Sequence, residues 1–313
     1  MLTSLASEAS LPMTLVLPAK TNLDFDLAVG ETIGQFDLNP DRTRFVPLIT
    51  SGKFTKEGTM HTRDRFILDF ADTIIPVSLR QGSSLGGLLT SDLVAHKNLI
   101  DNFRTPYEKR TEPISYRIDK STLNPALPSL AECYLIHWTR STHHKWPDER
   151  QIDYYRDIIR SDTYPRSAYN TLRRIISSGT IRASAKRMPA RSPCVSFSSL
   201  APAELLPLIA WRARYRQMAF EPYGIGIRKE LADKLNIHPV AYGTPAGSTA
   251  PRWLRQSIGR FTDWRREREH RHLGDVDLHA VPPDDLIAFV HTPREAVSLA
   301  DATGLTTVPF IRH

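Results

Sequence analysis

The sequence predicts an α/β N-terminal part followed by an α+β C-terminal domain built on a mixed sheet. Two textures and the gap between them carry this expectation. Strand-like and helix-like runs alternate up to about Phe103, whereas from Glu132 onward short strands outnumber helices. Between them, residues 104–130 are polar, carry four prolines and show little periodicity. The expected division is an N-terminal part over 1–105, a linker over 106–130 and a C-terminal domain over 131–313.

In the first part, Thr14–Leu17 and Phe45–Ile49 are short β-type runs, and Phe66, Ile67 and Phe70 recur at helical spacing within 61–71. Thr73–Leu79 reads as a strand, followed by a Gly/Ser loop over Arg80–Gly87 and a second helix from about Leu88. A strand, a glycine-rich loop and a helix in that order can aim backbone N–H groups at an anion. The C-terminal half opens on the strand Cys133–Thr139. A helix over 167–178 follows, with Ser167 as cap, Tyr169, Leu172, Ile175 and Ile176 as its apolar stripe and Gly179 as its stop. Cys194–Ser198 is a strand, and Leu208, Trp211, Tyr215 and Met218 predict a helix. Residues 261–272 read as extended and charged, and Leu286–His291 as a strong core strand.

A chain of 313 residues suits two domains better than one. The apolar runs are too short to cross a bilayer, and the N-terminus lacks the basic stretch of a signal peptide. With only Cys133 and Cys194, both in apolar segments, the expected setting is a reducing cytoplasm. The net charge is +7, and 31 of the 41 basic residues are arginines, which suits bidentate grips on phosphate or carboxylate. Residues 252–271 hold seven arginines against three acidic residues, a segment that fits either a solvated face or attraction of a polyanion.

The stretch RDRFILDFADTIIPVSLRQGSSLGGLL resembles the nucleotide-binding Rossmann fold of DNA-processing (DprA/SLOG-type) proteins, on Arg63, Ala71-Asp72, Ile74–Val77 and Gly82–Gly87. Asp64 stands where that pattern favours Asn. The resemblance implies a Rossmann-like N-terminal part over residues 40–105 and a nucleotide effector at the Gly82–Gly87 loop.

Three strands of the C-terminal half carry polar residues where a core strand is apolar. Alternation places His137 and Thr139 opposite Ile136 and Trp138, and Ser196 and Ser198 opposite Val195 and Phe197. Glu267, Glu269 and Arg271 share a face in the third. A histidine strand, a Ser-x-Ser strand and a late Glu-x-Glu resemble the ADP-ribosyltransferase superfamily, which binds NAD between two small sheets. That resemblance implies that His137, or else Arg140, takes the first-strand position that holds the ribose or adenylate side, with Thr139 beside it in the same strand. Ser196 and Ser198 would shape the nicotinamide pocket, and Tyr223 would stack on the nicotinamide. Glu269, partnered by Glu267, would stabilise the oxocarbenium-like charge as nicotinamide leaves, favouring the transition state over the ground state.

The run of Gly179–Ser184, Val195–Ser198, Tyr223–Ile227, Pro239–Tyr242 and Trp264-x-x-Glu267-x-Glu269, over residues 132–295, also looks like bacterial domains common near defence and abortive-infection genes, a resemblance that implies a defence or toxin setting. Rival chemistries lack their motifs. The histidines have no zinc-site spacing, and there is neither a Walker A loop nor a Gly-x-Ser-x-Gly elbow. Asp263, Glu267 and Glu269 form a conceivable Mg²⁺ site, against which the interleaved arginines compete. The expectation is an ADP-ribosyltransferase or NAD glycohydrolase with NAD as substrate and nucleic acid or protein as acceptor. The alternative is a non-catalytic nucleotide-sensing or nucleic-acid-binding protein.

Overall fold

The computed structural model describes residues 1–49, 56–106, 115–116, 118–130, 133–186, 188, 191–212, 217–243, 249–258 and 264–312. The chain is a mixed α/β protein that divides into two compact units. The first comprises Met1–Thr111 and Asp148–Ser161, the second Glu112–Pro147 and Asp162–His313.

In the first unit, α1 (Leu2–Glu8) precedes β1 (Met13–Ala19), α2 (Asn22–Phe36) and β2 (Thr43–Ile49). The two strands pair in parallel, Met13 opposite Thr43 through Ala19 opposite Ile49, and α2 is the crossover that a parallel pair requires. Thr21 starts α2 by accepting from the Asp24 N–H, and left-handed Asp37 stops it. The short pairs 73–74 with 98–99 and 78–79 with 105–106 are also parallel, so the expected single strand Thr73–Leu79 is broken around Pro76. Helix α3 (Lys56–Phe70) buries Leu68 against Ile74 and Val94. The expected stripe of Phe66, Ile67 and Phe70 is not its buried face: Phe70 is 73% exposed and stacks on Phe66. Helix α4 (Ser84–Leu89) starts earlier than Leu88 because Ser83 caps it.

Helix α5 (Gln151–Arg160), not foreseen in the sequence, completes this unit from a later part of the chain. Arg156 and Arg160 reach Glu8 at 2.6 and 3.5 Å, and the Gln151 N–H donates to the Gln35 side chain.

The second unit is organised on one seven-stranded sheet. Its strands are β3 (Tyr134–Trp138), β4 (Cys194–Ser198), β5 (Gly224–Arg228), β6 (His238–Pro239), β7 (Glu269–Leu273), β8 (Leu286–Val290) and β9 (Thr307–Pro309). Their spatial order is β6-β7-β4-β3-β5-β8-β9, antiparallel throughout except for the β8–β9 pair. Period-two alternation sends Leu135, Ile225, Ile227, Ala288 and Val290 to one face. There they meet Leu172 of α6 (Ala168–Ser178) and Leu299 of α7 (Pro293–Thr303). Ile136, Trp138, Ile287 and Phe289 go to the other, under Leu127, Leu205 and Phe310. Helix α6 has the predicted limits: Ser167 accepts from Asn170 N–H and Gly179 takes φ +61°.

Three expectations need revision. The described part of the 106–130 segment packs rather than links: Leu127 is fully buried and Asn124 N–H donates to Phe310 O. The helix expected over Leu208–Met218 is instead a 3₁₀ segment, Pro202–Leu208, and a strand pair, 211–212 with 217–218; Tyr215 lies outside the described residues. Residues 261–272 are not continuously extended. Trp264–Glu267 is a 3₁₀ turn, Arg268 takes φ +44°, and β7 begins only at Glu269.

The middle of the sheet leaves no room at Gly224, where an added Cβ would lie 2.9 Å from His137 O and 2.8 Å from the Trp138 ring. A carbonyl of a central strand cannot swing aside, so Gly224→Ala should lower stability by about 1–3 kcal/mol in chemical denaturation. An unchanged midpoint would show that the β3–β5 pair is looser than this packing requires.

Candidate functional site

The site starts from an interruption in the sheet. Strands β7 and β4 register over five residue pairs, and so do β3 and β5, but β3 and β4 meet at a single pair, Ile136 opposite Ser198. The Ser196 carbonyl, which a continuous ladder would satisfy from β3 backbone, is satisfied by the His137 ring, with Nδ1 2.8 Å from Ser196 O. A carbonyl only accepts, so Nδ1 carries the proton and Nε2 is left as an acceptor. Burial pushes the His137 pKa below its ordinary value; the Ser196 bond opposes this and Arg140 adds to it. The imidazole is therefore neutral at pH 7.

A cleft of about 630 Å³ opens at this interruption, lined among others by His137, Ser196, Glu267, Glu269 and Arg271. The Ser196 hydroxyl donates to Glu269 Oε1 at 2.7 Å. Arg271, 2% exposed, grips the same carboxylate in bidentate fashion, Nε to Oε1 and Nη2 to Oε2, both at 2.8 Å. Its remaining donors reach Trp253 O and Gln256 Oε1, also at 2.8 Å. The Glu269 N–H points to the Tyr242 hydroxyl at 3.4 Å.

Glu267 reaches the same cleft from the 3₁₀ turn. Ser198 anchors that turn, its hydroxyl donating to Glu267 O at 2.6 Å, and Ser199 N–H donates to Arg268 O. The left-handed φ of Arg268 is a conformation non-glycine residues seldom adopt, and its side chain is held by two bonds to Glu204. Burial, then the neighbouring Glu269, pushes the Glu267 carboxyl up to about 7, with Arg212, Arg140 and Arg271 pulling the other way. Arg212 lies 3.6 Å away. Two carboxyl groups thus share one cleft in different environments, one gripped by a guanidinium and one titrating near neutrality.

His137, Ser196, Glu267 and Glu269, expected together, all line the cleft, but not from one face: the pairing of Ile136 with Ser198 and of Ser198 with Glu269 puts Ser196 and Glu269 on one face of the sheet and His137 on the other, where its ring enters the gap between β3 and β4. Thr139, Arg140 and Ser198 line the same cleft, but the Thr139 hydroxyl is spent on Ala168 O and Tyr223 O, and that of Ser198 on the turn. Tyr223 does not face the cleft. It is 6% exposed in the core, its hydroxyl donating to Glu295 at 2.9 Å. The Gly82–Gly87 loop caps itself: Ser83 Oγ accepts the Gly86 N–H, and Gly87 N–H goes to Ser83 O. Asp263 of the conceivable metal trio lies outside the described residues, and among those residues no group of three or more His, Cys, Asp or Glu is placed to hold a metal. No helix among them is long and apolar enough to cross a membrane.

Sequence reasoning passed over Arg182, Lys186, Arg212 and Gln256, which also line the cleft. For the two arginines the only signal was the surplus of that residue, and Lys186 and Gln256 gave none. Comparison with known proteins gives no match: no family model, no curated protein and no solved structure is similar enough to the chain to count.

The raised Glu267 carboxyl makes a stability prediction whose sign is fixed. Charging this group is harder in the folded than in the unfolded chain. Its favourable contribution is complete below its ordinary value of 4.5 and is lost as pH rises through about 7. Glu267→Gln should therefore match the parent near pH 4 and exceed it near pH 8.5 by on the order of 2 kcal/mol in urea unfolding. Equal stabilities at both pH values would mean that Glu267 is well solvated.

Proposed function

We propose that this chain cleaves the nicotinamide–ribose bond of NAD, as an ADP-ribosyltransferase or an NAD glycohydrolase. In this reading the C-terminal sheet is an ADP-ribosyltransferase-like one and the N-terminal part is Rossmann-like. The observation that carries it is the Ser196 hydroxyl on the Glu269 carboxylate, with Glu267 and His137 in the same cleft. The lining supports it too. Arg140, Arg182, Lys186, Arg212 and Arg271 outnumber the two glutamates, a balance suited to the pyrophosphate of a dinucleotide. The volume lies within the ordinary range of small-molecule sites.

The geometry divides the work between the two carboxyl groups. Glu269 is fixed by Arg271 and Ser196 and keeps acceptor capacity on Oε2 for a ribose hydroxyl. Because a buried guanidinium offsets its charge, Glu269 alone stabilises a developing cation less than an unpaired carboxylate would. Glu267 supplies what is missing. As the C–N bond breaks and its electrons leave with nicotinamide, a water or acceptor nucleophile attacks the ribosyl carbon and gives its proton to Glu267. Neutral His137 offers Nε2 to a hydroxyl of the ligand.

The Arg271–Glu269 pair also favours a second reading, a non-catalytic nucleotide-binding protein, since a self-neutralised carboxylate is compatible with a site that only holds an anion.

Nicotinamide release from NAD by the purified protein decides between them. With Glu267 as base, the rate should rise about tenfold per pH unit below pH 7 and level off above it. Glu267→Gln should flatten that limb, and Glu269→Gln should cost about 100-fold or more in rate. A folded protein that binds ADP-ribose in calorimetry yet releases no nicotinamide at any pH would leave only the second reading standing.

A further inference from the structure

The cleft wall that follows β3, Arg140-Ser141-Thr142, is held by a carboxylate that the chemistry above does not use. Strands β3 and β5 pair with Tyr134 opposite Arg228 and Trp138 opposite Gly224. One step further the backbone still pairs, Thr139 N–H to Tyr223 O at 2.9 Å. Where the same register would set Ser141 opposite Glu221, a side chain takes over from the ladder. Glu221 Oε1 accepts the Ser141 N–H at 2.6 Å, and Oε2 accepts the Ser141 hydroxyl at 2.9 Å.

Glu221 is 1% exposed, so the cost of burying its carboxyl must be offset by donors. Its third donor comes from far away in sequence, the hydroxyl of Tyr116, on Oε2. The Tyr116 ring is itself fixed edge-on against Tyr223 and His291, with centroids 6.1 and 5.1 Å apart. Burial, followed by the charge of Glu221, pushes the Tyr116 pKa far up, so it stays a donor at any physiological pH. Three residues from three separate stretches of chain thus form one buried bond set, and one of them, Ser141, faces the cleft.

We infer that Glu221 and Tyr116 are positioning residues for the ligand site, a buried clamp that fixes the Arg140–Thr142 wall through Ser141. The inference rests on the NAD-cleaving reading only for which ligand the wall meets; the clamp itself is a property of this site whatever it holds. A wall set by the clamp acts on binding of the anionic ligand, through Arg140, and not on the proton transfer at Glu267. Losing the Tyr116 hydroxyl leaves its ring packing intact and removes one of two bonds on Oε2. The wall is loosened without emptying the core.

The test is Tyr116→Phe in the full chain, with Glu221→Gln beside it. The Gln variant keeps an acceptor for Ser141 N–H and an amide that the hydroxyls of Ser141 and Tyr116 can accept from, so it should stay closer to the parent than Tyr116→Phe. Two readouts are taken. Amide exchange across 139–142 should be about tenfold faster in Tyr116→Phe, with β4 and β8 unchanged. The KM for NAD in nicotinamide release should rise by about the same factor, with kcat within twofold and the pH limb unmoved.

Unchanged exchange at 139–142 overturns the clamp. Faster exchange with an unchanged KM overturns its role in positioning. If the parent releases no nicotinamide, the NAD-cleaving reading falls separately, and exchange together with calorimetric binding of ADP-ribose decides the clamp: faster exchange and weaker binding support it, and unchanged exchange or unchanged binding sinks it. Should Glu221→Gln fail to fold, Tyr116→Phe alone gives each of these outcomes.

Discussion

A guanidinium taken out of water must find partners for its donors, and Arg271 finds them all in one place. Its bonds to Glu269, Trp253 O and Gln256 tie β7 to the segment 252–256 and fix the carboxylate that faces the cleft. Removing either charge would strand the other in a buried site, which is far costlier than the pair is favourable. The rest of the site follows from this constraint. Ser196 adds its hydroxyl to a carboxylate already held still. Glu267, two residues earlier, is pushed up to about 7 by its own burial and then by the charge of Glu269. Two like residues in one cleft thus sit in unlike environments, one bound by a guanidinium and one raised by burial.

The second requirement is the broken ladder between β3 and β4. A complete ladder would leave no cleft in the middle of the sheet, and an unfilled gap would leave buried carbonyls without donors. His137 resolves both by placing a ring where a backbone N–H would have been, and in doing so its tautomer is set by the fold and not by a ligand. Just beyond the C-terminal end of the same strand, Glu221 performs the corresponding substitution for Ser141. Side chains stand in for backbone at both places where β3 departs from regular pairing.

What was legible in the sequence is what alternation encodes. Ser196 and Glu269 could be placed on strands and on one shared face because a period of two leaves little choice, and the limits of α6 were written in Ser167 and Gly179; His137 falls on the other face and meets the cleft only because β3 and β4 part. Less visible was what depends on distant partners. Thr139 and Ser198 look like Ser196 in a strand pattern, yet their hydroxyls are spent on carbonyls that only the tertiary structure supplies. Tyr223 has the aromatic ring a nicotinamide would want, but Glu295 on α7 draws it into the core. Helix α5 escaped notice because its cap position is Arg150, which makes no side-chain cap bond, and no glycine closes it. The kink at Arg268 was hidden for a related reason: a left-handed arginine gives no warning of the kind a glycine does.

That stretch of chain has a further consequence. Residues 148–161 leave the second unit and return to it, so the first unit is assembled from two separate pieces. On the ribosome the order of synthesis then matters: the leading piece emerges first but cannot dock α5 until part of the other unit has already been made. The two units therefore do not fold as successive beads. Each has to wait for later chain, β3 for the other strands of its own sheet and α1 and α2 for a helix that arrives late. A single cleavage at any of the crossings would leave α5 and its partners, or β3 and the rest of its sheet, on different fragments.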